Sequence, residues 1–257
     1  MIGNFLKLVS EDVILSAIDD REMMAKDCSK FRIGILLFPD VVQLDFTGCY
    51  EVFSRTPTFE VLLVSKCMDV IRTSYGMTVV PDATFGNVGK LDLICVPGGA
   101  GINALLNDDV TLDFIKLVST TATYITAVCS GTLLLGAAGL LSGRRATTHW
   151  SAASLLREFG CIYCPERYVF DGNIITGAGV TSGIDFALAI VDKLMGRDIA
   201  AEIMLGIEYS PQPPFEGGQV SSTDPHIVEE YLKKMENGQR SRVKCVQDAV
   251  SRISSGK

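Results

Sequence analysis

Along this chain, short runs of β-branched and aromatic residues alternate with longer stretches whose apolar positions recur every three or four residues. The first clear run, residues 31–38 (FRIGILLF), is almost uninterrupted in its hydrophobicity and ends in a turn at Pro39-Asp40. A run of that kind suits a strand buried on both faces, as in a parallel sheet. Further strands are predicted at 59–65, 78–81, 91–96 and 123–128, with helical spacing over 43–54, 102–119 and 132–141. Beyond them, 145–149 reads as a strand, 151–159 as a helix, and 168–176 as a hairpin turning at Asp171-Gly172. A helix over 182–194 has Thr181 and Ser182 as cap candidates. This alternation predicts an α/β fold with a mostly parallel central sheet.

After residue 194 the pattern weakens, and Pro211, Pro213 and Pro214 with Gly217-Gly218 close the regular part of the chain. The remainder reads as one or two amphipathic helices, including 227–235. The expected organisation is an N-terminal extension over 1–30, an α/β domain over 31–215 and a C-terminal helical tail over 216–257.

Composition narrows the class. With 257 residues and 47% hydrophobic content, the chain can bury the core of one large domain. A formal net charge of −7 argues against nucleic acid as a partner, because such a surface needs a basic patch. No apolar run reaches the roughly 20 residues that span a bilayer, so no membrane association is expected. Glu11, Asp12, Asp19 and Asp20 interrupt the first thirty residues where a secretory signal would be continuous. A cytoplasmic protein is the expectation, with its eight cysteines as reduced thiols.

One of those cysteines stands apart. Cys129 follows the strand run 123–128 directly and precedes the apolar helical run 132–141, with only Ser130 and Gly131 between. Small residues permit an abrupt turn, and a thiol at such a turn faces the partial positive charge of a helix N-terminus. That setting favours thiolate, and it is the strand-nucleophile-helix elbow with cysteine in place of serine. Taken alone, a cysteine is more often a small buried hydrophobe.

Two other segments also follow predicted strands and are expected to converge with this elbow at the carboxyl edge of a parallel sheet, where ligands bind. They are Gln43-Leu44-Asp45-Phe46-Thr47-Gly48 and Pro97-Gly98-Gly99-Ala100-Gly101. The glycine loop can turn backbone N–H groups toward a reacting atom, and with the Ser130 amide it would make an anion-stabilising pocket beside the sulfur. Asp45 could hydrogen-bond Cys129 or shuttle a proton, or it could simply cap the helix that starts beside it. The glycine loop lacks the Lys-Ser/Thr of a phosphate loop. Cys161 and Cys164 form a lone C-x-x-C pair followed by Pro165, which reads as structural rather than as a metal or redox site. His149 beside the sole tryptophan, Trp150, reads as a packing histidine in preference to a catalytic base, and Asp185 as a residue of a first helical turn tied to the core.

At these residues the chain resembles the DJ/PfpI superfamily and, within it, the isonitrile hydratase branch. The carrying motifs are Leu44–Gly48, Val96–Gly99, Val128–Gly131, Leu135–Leu141, Arg145–Trp150, Thr181–Leu188 and Glu208–Phe215. The resemblance implies a flavodoxin-like sandwich, usually a homodimer, with Cys129 as nucleophile, Asp45 as acid and base, Ser130 beside them, and Gly98 and Gly99 binding substrate or oxyanion. It implies a small, largely apolar substrate, with neither a metal nor an organic cofactor required. Asp45 stands where many redox-sensing and glyoxalase-like relatives carry glutamate, and Ser130 where hydratases commonly have threonine. Peptidase-like relatives place histidine after the cysteine, which this chain does not.

The activity the resemblance implies is hydration of an isonitrile to an N-substituted formamide through a covalent thioimidate. A glyoxalase-like or redox-protective protein would use the same thiol. A non-enzymatic ligand-sensing module is a third reading, since Ala146–Trp150 also resembles the sensor domains of arabinose-operon-type regulators, although the stretch after Phe215 is too short for their paired helix-turn-helix units.

Overall fold

In the computed structural model, residues 30–255 are described, so the expected N-terminal extension lies outside the described residues except for Lys30. The chain enters on β1 (Phe31–Leu36), turns into α1 (Gln43–Ser54) and returns on β2 (Phe59–Ser65). A small hairpin of β3 (Ile71–Arg72) and β4 (Thr78–Val79) precedes the two-residue strand β5 (Ala83–Thr84). Then come β6 (Leu93–Val96), α2 (Ile102–Leu105), α3 (Asp109–Ser119) and β7 (Tyr124–Val128). After the elbow follow α4 (Thr132–Ala137), β8 (Arg145–Ala146), α5 (Ala153–Arg157), β9 (Ile162–Tyr163), β10 (Tyr168–Asp171) and β11 (Ile174–Gly177). The chain closes with α6 (Ser182–Met195), α7 (Arg197–Gly206) and α8 (Pro225–Ser254).

Seven strands form the central sheet in the order β10-β11-β7-β6-β1-β2-β5. Every neighbouring pair is parallel except the edge hairpin β10/β11. The mostly parallel α/β sandwich expected from the alternating runs is therefore the fold. Leu93, Ile94, Cys95 and Val96 of β6 are all buried, as a strand covered by helices on both faces must be. Helices α1, α6 and α7 cover one face, and α2, α3, α4 and α8 the other. The chain leaves β1 toward β2 on one side and reaches β6 on the other, so strand order reverses beside β1. The carboxyl ends of β1, β6 and β7 thus open onto one crevice.

Four local expectations change. The run 102–119 is two helices, because Asp108 stops the first and caps the second by accepting the Thr111 amide at 3.1 Å. The run 78–81 contributes only two residues to the β3/β4 hairpin. Pro81 has no N–H for a ladder, and the sheet edge is taken by β5 instead. The strand expected over 145–149 stops at Ala146, after which Thr147 and Thr148 turn their hydrogen bonds to other segments. Helix α7 follows immediately on Gly196, a segment without a clear periodic pattern.

The final helix is a single 30-residue element. Asp224 caps it, accepting the His226 amide at 2.8 Å, and Pro225 occupies its first turn, where a missing N–H is harmless. Val246 and Ala249 are fully buried against the body of the protein. Around them, Asn107 donates to the Cys245 carbonyl at 3.0 Å, and Arg252 pairs with Asp109 at 3.0 Å. Replacing Val246 with Asp puts an unpaired charge into this seam and should lower the unfolding free energy by about 3–5 kcal/mol in urea titrations. An unchanged midpoint would mean that the seam does not anchor the helix.

Candidate active site

Strand β7 delivers the chain to Cys129 in the left-handed region, with φ 58°. A non-glycine residue there is held by its surroundings at a cost of about 1–3 kcal/mol. The holding groups are visible. The Cys129 amide donates to the Ala178 carbonyl at 2.8 Å, and the Thr148 hydroxyl donates to the Cys129 carbonyl at 2.8 Å. Thr148 belongs to the Arg145–Trp150 motif, which gains a physical role: it clamps the elbow. Gly131 is required by closeness, since a Cβ there would lie 2.1 Å from the Val96 carbonyl.

Asp45 sits in the first turn of α1 yet caps nothing with its side chain; residue Val42 is the N-cap. The carboxyl points inward, fully buried, and its Oδ2 accepts the Gly98 amide at 2.8 Å. Its Oδ1 has no hydrogen-bond partner among the described residues. Gly98 packs so tightly that a Cβ would come within 2.7 Å of the Ser130 amide nitrogen and 2.9 Å of Asp45 Oδ2. Ser130 is likewise buried, and its hydroxyl accepts the Gly99 amide at 3.1 Å. The structure therefore brings together Cys129, Asp45, Ser130, Gly98 and Gly99. The two glycine amides, however, are not turned toward a reacting atom as the loop had implied. One orients Asp45 and the other orients Ser130, because buried carboxyl and hydroxyl oxygens need donors first.

The electrostatics also differ from the expectation of a ready thiolate. Burial is the main influence on Cys129 and pushes its thiol well above the usual range, and the neighbouring Asp45 charge adds to it. The Ser130 amide and the Arg242 guanidinium act in the opposite direction without prevailing. Asp45 is pushed up to about 7 by burial, against the lowering influence of the Gly98 amide and the Cys129 thiol. At rest the pair is thus a neutral thiol beside a carboxyl that is half ionised near pH 7.

Above this floor lies a cavity of about 410 Å³, walled by Cys129, Ser130, His149, Gly99, Asn103 and one face of α8. Helix α8 is latched across it. Arg242 donates to the Gly99 carbonyl at 3.0 Å and to Asn103 Oδ1 at 2.8 Å, while Gln239 donates to the Ser151 carbonyl at 3.1 Å. His149 is a wall residue of this cavity rather than a core packer. Its Nδ1 lies 2.8 Å from Ser151 Oγ, and burial, with help from Arg242, lowers its pKa to about 4, so the ring is neutral at pH 7. Arg242, Asn103 and Gln239 escaped the sequence reading. For Gln239 and Arg242 the signal was the helical spacing of 231, 235, 239, 242, 246 and 249, visible only if the tail is read as one continuous helix, whereas Asn103, in α2, carried none.

Elsewhere, Cys161 and Cys164 are buried free thiols bonded to the carbonyls of Arg144 and Ile162. Asp185 accepts from Arg167 at 2.6 Å and from the Tyr209 hydroxyl at 3.1 Å, tying the 208–215 motif to α6. Among the described residues no cluster of three or more His, Cys, Asp or Glu could hold a metal, and no helix is long and apolar enough to cross a membrane.

A parallel α/β sandwich with a left-handed cysteine elbow, an inward acid and a glycine loop defines a class, and the chain belongs to the DJ-1/PfpI family, whose pattern it matches over residues 31–193. The branch expected from the motifs is also the one supported. The chain is 44% identical over 223 residues to the isonitrile hydratase of Pseudomonas putida, covering 87% of this chain and 98% of that protein. The crystal structure of a THiJ/PfpI family protein from Pseudomonas syringae superposes with a TM-score of 0.82 at 36% identity, over 84% of this chain and 90% of the other. A glutathione-independent glyoxalase of Caenorhabditis elegans is 29% identical over 171 residues, 65% of this chain and 91% of its own.

The raised Asp45 pKa has a measurable consequence for stability. The unfolded carboxyl ionises near 3.8 and the folded one near 7, so the folded state holds its proton longer and loses stability as pH rises between those values. Relative to Asp45→Asn, the wild type should lose about 2–3 kcal/mol of unfolding free energy between pH 5 and pH 8, read from denaturant titrations at both. A constant difference would mean that the carboxyl is not buried as described.

Proposed function

We propose that the protein hydrates a small isonitrile to an N-substituted formamide, with Cys129 as nucleophile and Asp45 as proton carrier. The observation that carries this reading is the buried Asp45 carboxyl beside the Cys129 thiol, with one oxygen fixed by Gly98 and the other unpartnered among the described residues. The similarity to the Pseudomonas putida isonitrile hydratase supplies the substrate class.

The reaction follows from the proton held by that pair. The Asp45 carboxylate takes the thiol proton, and the sulfur attacks the terminal carbon of the isonitrile. Asp45 returns the proton to the same carbon, leaving a thioimidate, R–N=CH–S–Cys129. Asp45, ionised again, accepts a proton from water as the water oxygen adds to that carbon, and passes it to the substrate nitrogen. The C–S bond then breaks as the added hydroxyl gives its proton, by way of Asp45, to the departing sulfur, so that the formamide R–NH–CHO leaves and the thiol is restored. The sum is one isonitrile and one water giving one formamide. The Ser130 amide, directed at the sulfur, stabilises negative charge as it forms there. The expected homodimer and cytoplasmic residence belong to this same reading.

Cys129→Ala should abolish turnover and remove the covalent adduct seen by intact-mass spectrometry during reaction with an isonitrile. Full activity in that variant would sink the mechanism, and consumption of methylglyoxal without isonitrile hydration would favour the glyoxalase reading. Because the pair must begin as thiol and carboxylate, kcat/KM should rise with pH through an apparent pKa near 7 and then level. Asp45→Asn should remove that limb of the profile along with most of the rate, about 100-fold or more.

A further inference from the structure

The guanidinium of Arg242 is a half-buried cation without a counter-ion among the described residues. Two of its N–H groups go to neutral oxygens, the Gly99 carbonyl and Asn103 Oδ1, and Nη1 has no hydrogen-bond partner among the described residues. The ion pairs of α8 use Lys233, Arg240 and Arg252, and Arg242 takes part in none. Lys234, about two helical turns before Arg242 on α8, lines the same cavity, and no aspartate or glutamate is among the lining residues. Asp45 lies beneath the floor, fully buried behind Cys129. On a chain with a formal net charge of −7, this is a cavity whose lining charges are all positive.

Partly desolvating a guanidinium without an acid beside it is unfavourable, so such a group is normally paired when its site is filled. A planar fork of N–H donors fits a carboxylate in particular, better than a point charge does. Arg242 and Cys129 open onto one space of about 410 Å³, enough for a small molecule that reaches both.

We propose that the substrate of this site carries a carboxylate, bound by Arg242 on the roof helix while the reacting carbon faces Cys129 on the floor. Arg242 is then a specificity-determining residue, and the largely apolar substrate expected from the sequence becomes an acid with a short apolar connection between its two ends. The isonitrile part of this inference rests on the hydratase reading; the carboxylate part does not.

The test compares an ω-isocyano carboxylate with its primary amide. In the wild type, kcat/KM should favour the carboxylate by about tenfold or more. Arg242→Gln should bring that ratio close to one, and Arg242→Lys should retain part of it. A wild-type ratio at or below one, or a ratio unchanged in Arg242→Gln, overturns the proposal; the wild-type ratio decides alone if the glutamine variant does not fold. In parallel, Cys129→Ala is titrated calorimetrically with the N-formyl carboxylate and the N-formyl amide that correspond to the two products. Preference for the carboxylate, lost on adding Arg242→Gln, upholds the anion site even if neither isonitrile is hydrated, in which case the hydratase reading fails by itself. Hydration of both isonitriles with no carboxylate preference in either measurement leaves the hydratase reading standing and removes this one.

Discussion

The hydrogen bond from the Gly98 amide to Asp45 Oδ2 joins what the sheet would otherwise leave as separate loops. Asp45 comes from the start of α1, Gly98 from the end of β6, and the absence of a Cβ on Gly98 lets Ser130, from the elbow after β7, close against both. Burying a carboxyl without a donor is costly, and a backbone amide is a donor that no substitution other than proline removes. Fixing this one contact sets the distance between acid and thiol. It also sets the proton inventory of the site, because the depth that makes the contact necessary is what lifts both groups above their ordinary ionisation ranges.

Much of the frame was legible in the sequence. The runs 31–38, 59–65, 91–96 and 123–128 lie in the parallel sheet because continuous apolarity is what two covered faces demand. The three site segments were legible for the same reason, as each directly follows one of those strands or the turn after it. Short elements were not. β5 pairs through only two residues, too few for periodicity to register, and the break at 106–108 depends on Asp108 preferring to cap. Nor could a one-dimensional reading assign the glycine amides, whose partners are 53 and 31 residues away along the chain.

The division of charge between floor and roof is also a three-dimensional fact. The acid is reached through the first helix of the sandwich, and the cations through the last, almost two hundred residues later. Composition reports a net negative protein, and only the docking of α8 by Val246 and Ala249 puts Arg242 over the thiol. His149 shows the same limit. Its neighbours in sequence read as packing, whereas in space it also meets Arg242, 93 residues further on, and the cavity.

The left-handed backbone at Cys129 filters which side chains the position can explore before any question of reactivity arises. Branching at Cβ is poorly tolerated at positive φ, so a threonine nucleophile, interchangeable with cysteine on some other scaffolds, is shut out by geometry here. Asparagine and aspartate, which visit this region more readily, remain within reach although they bring different chemistry. Mutational drift at the elbow is thereby channelled toward side chains unbranched at Cβ, which leaves serine as the one hydroxyl nucleophile the backbone can take in place of the thiol.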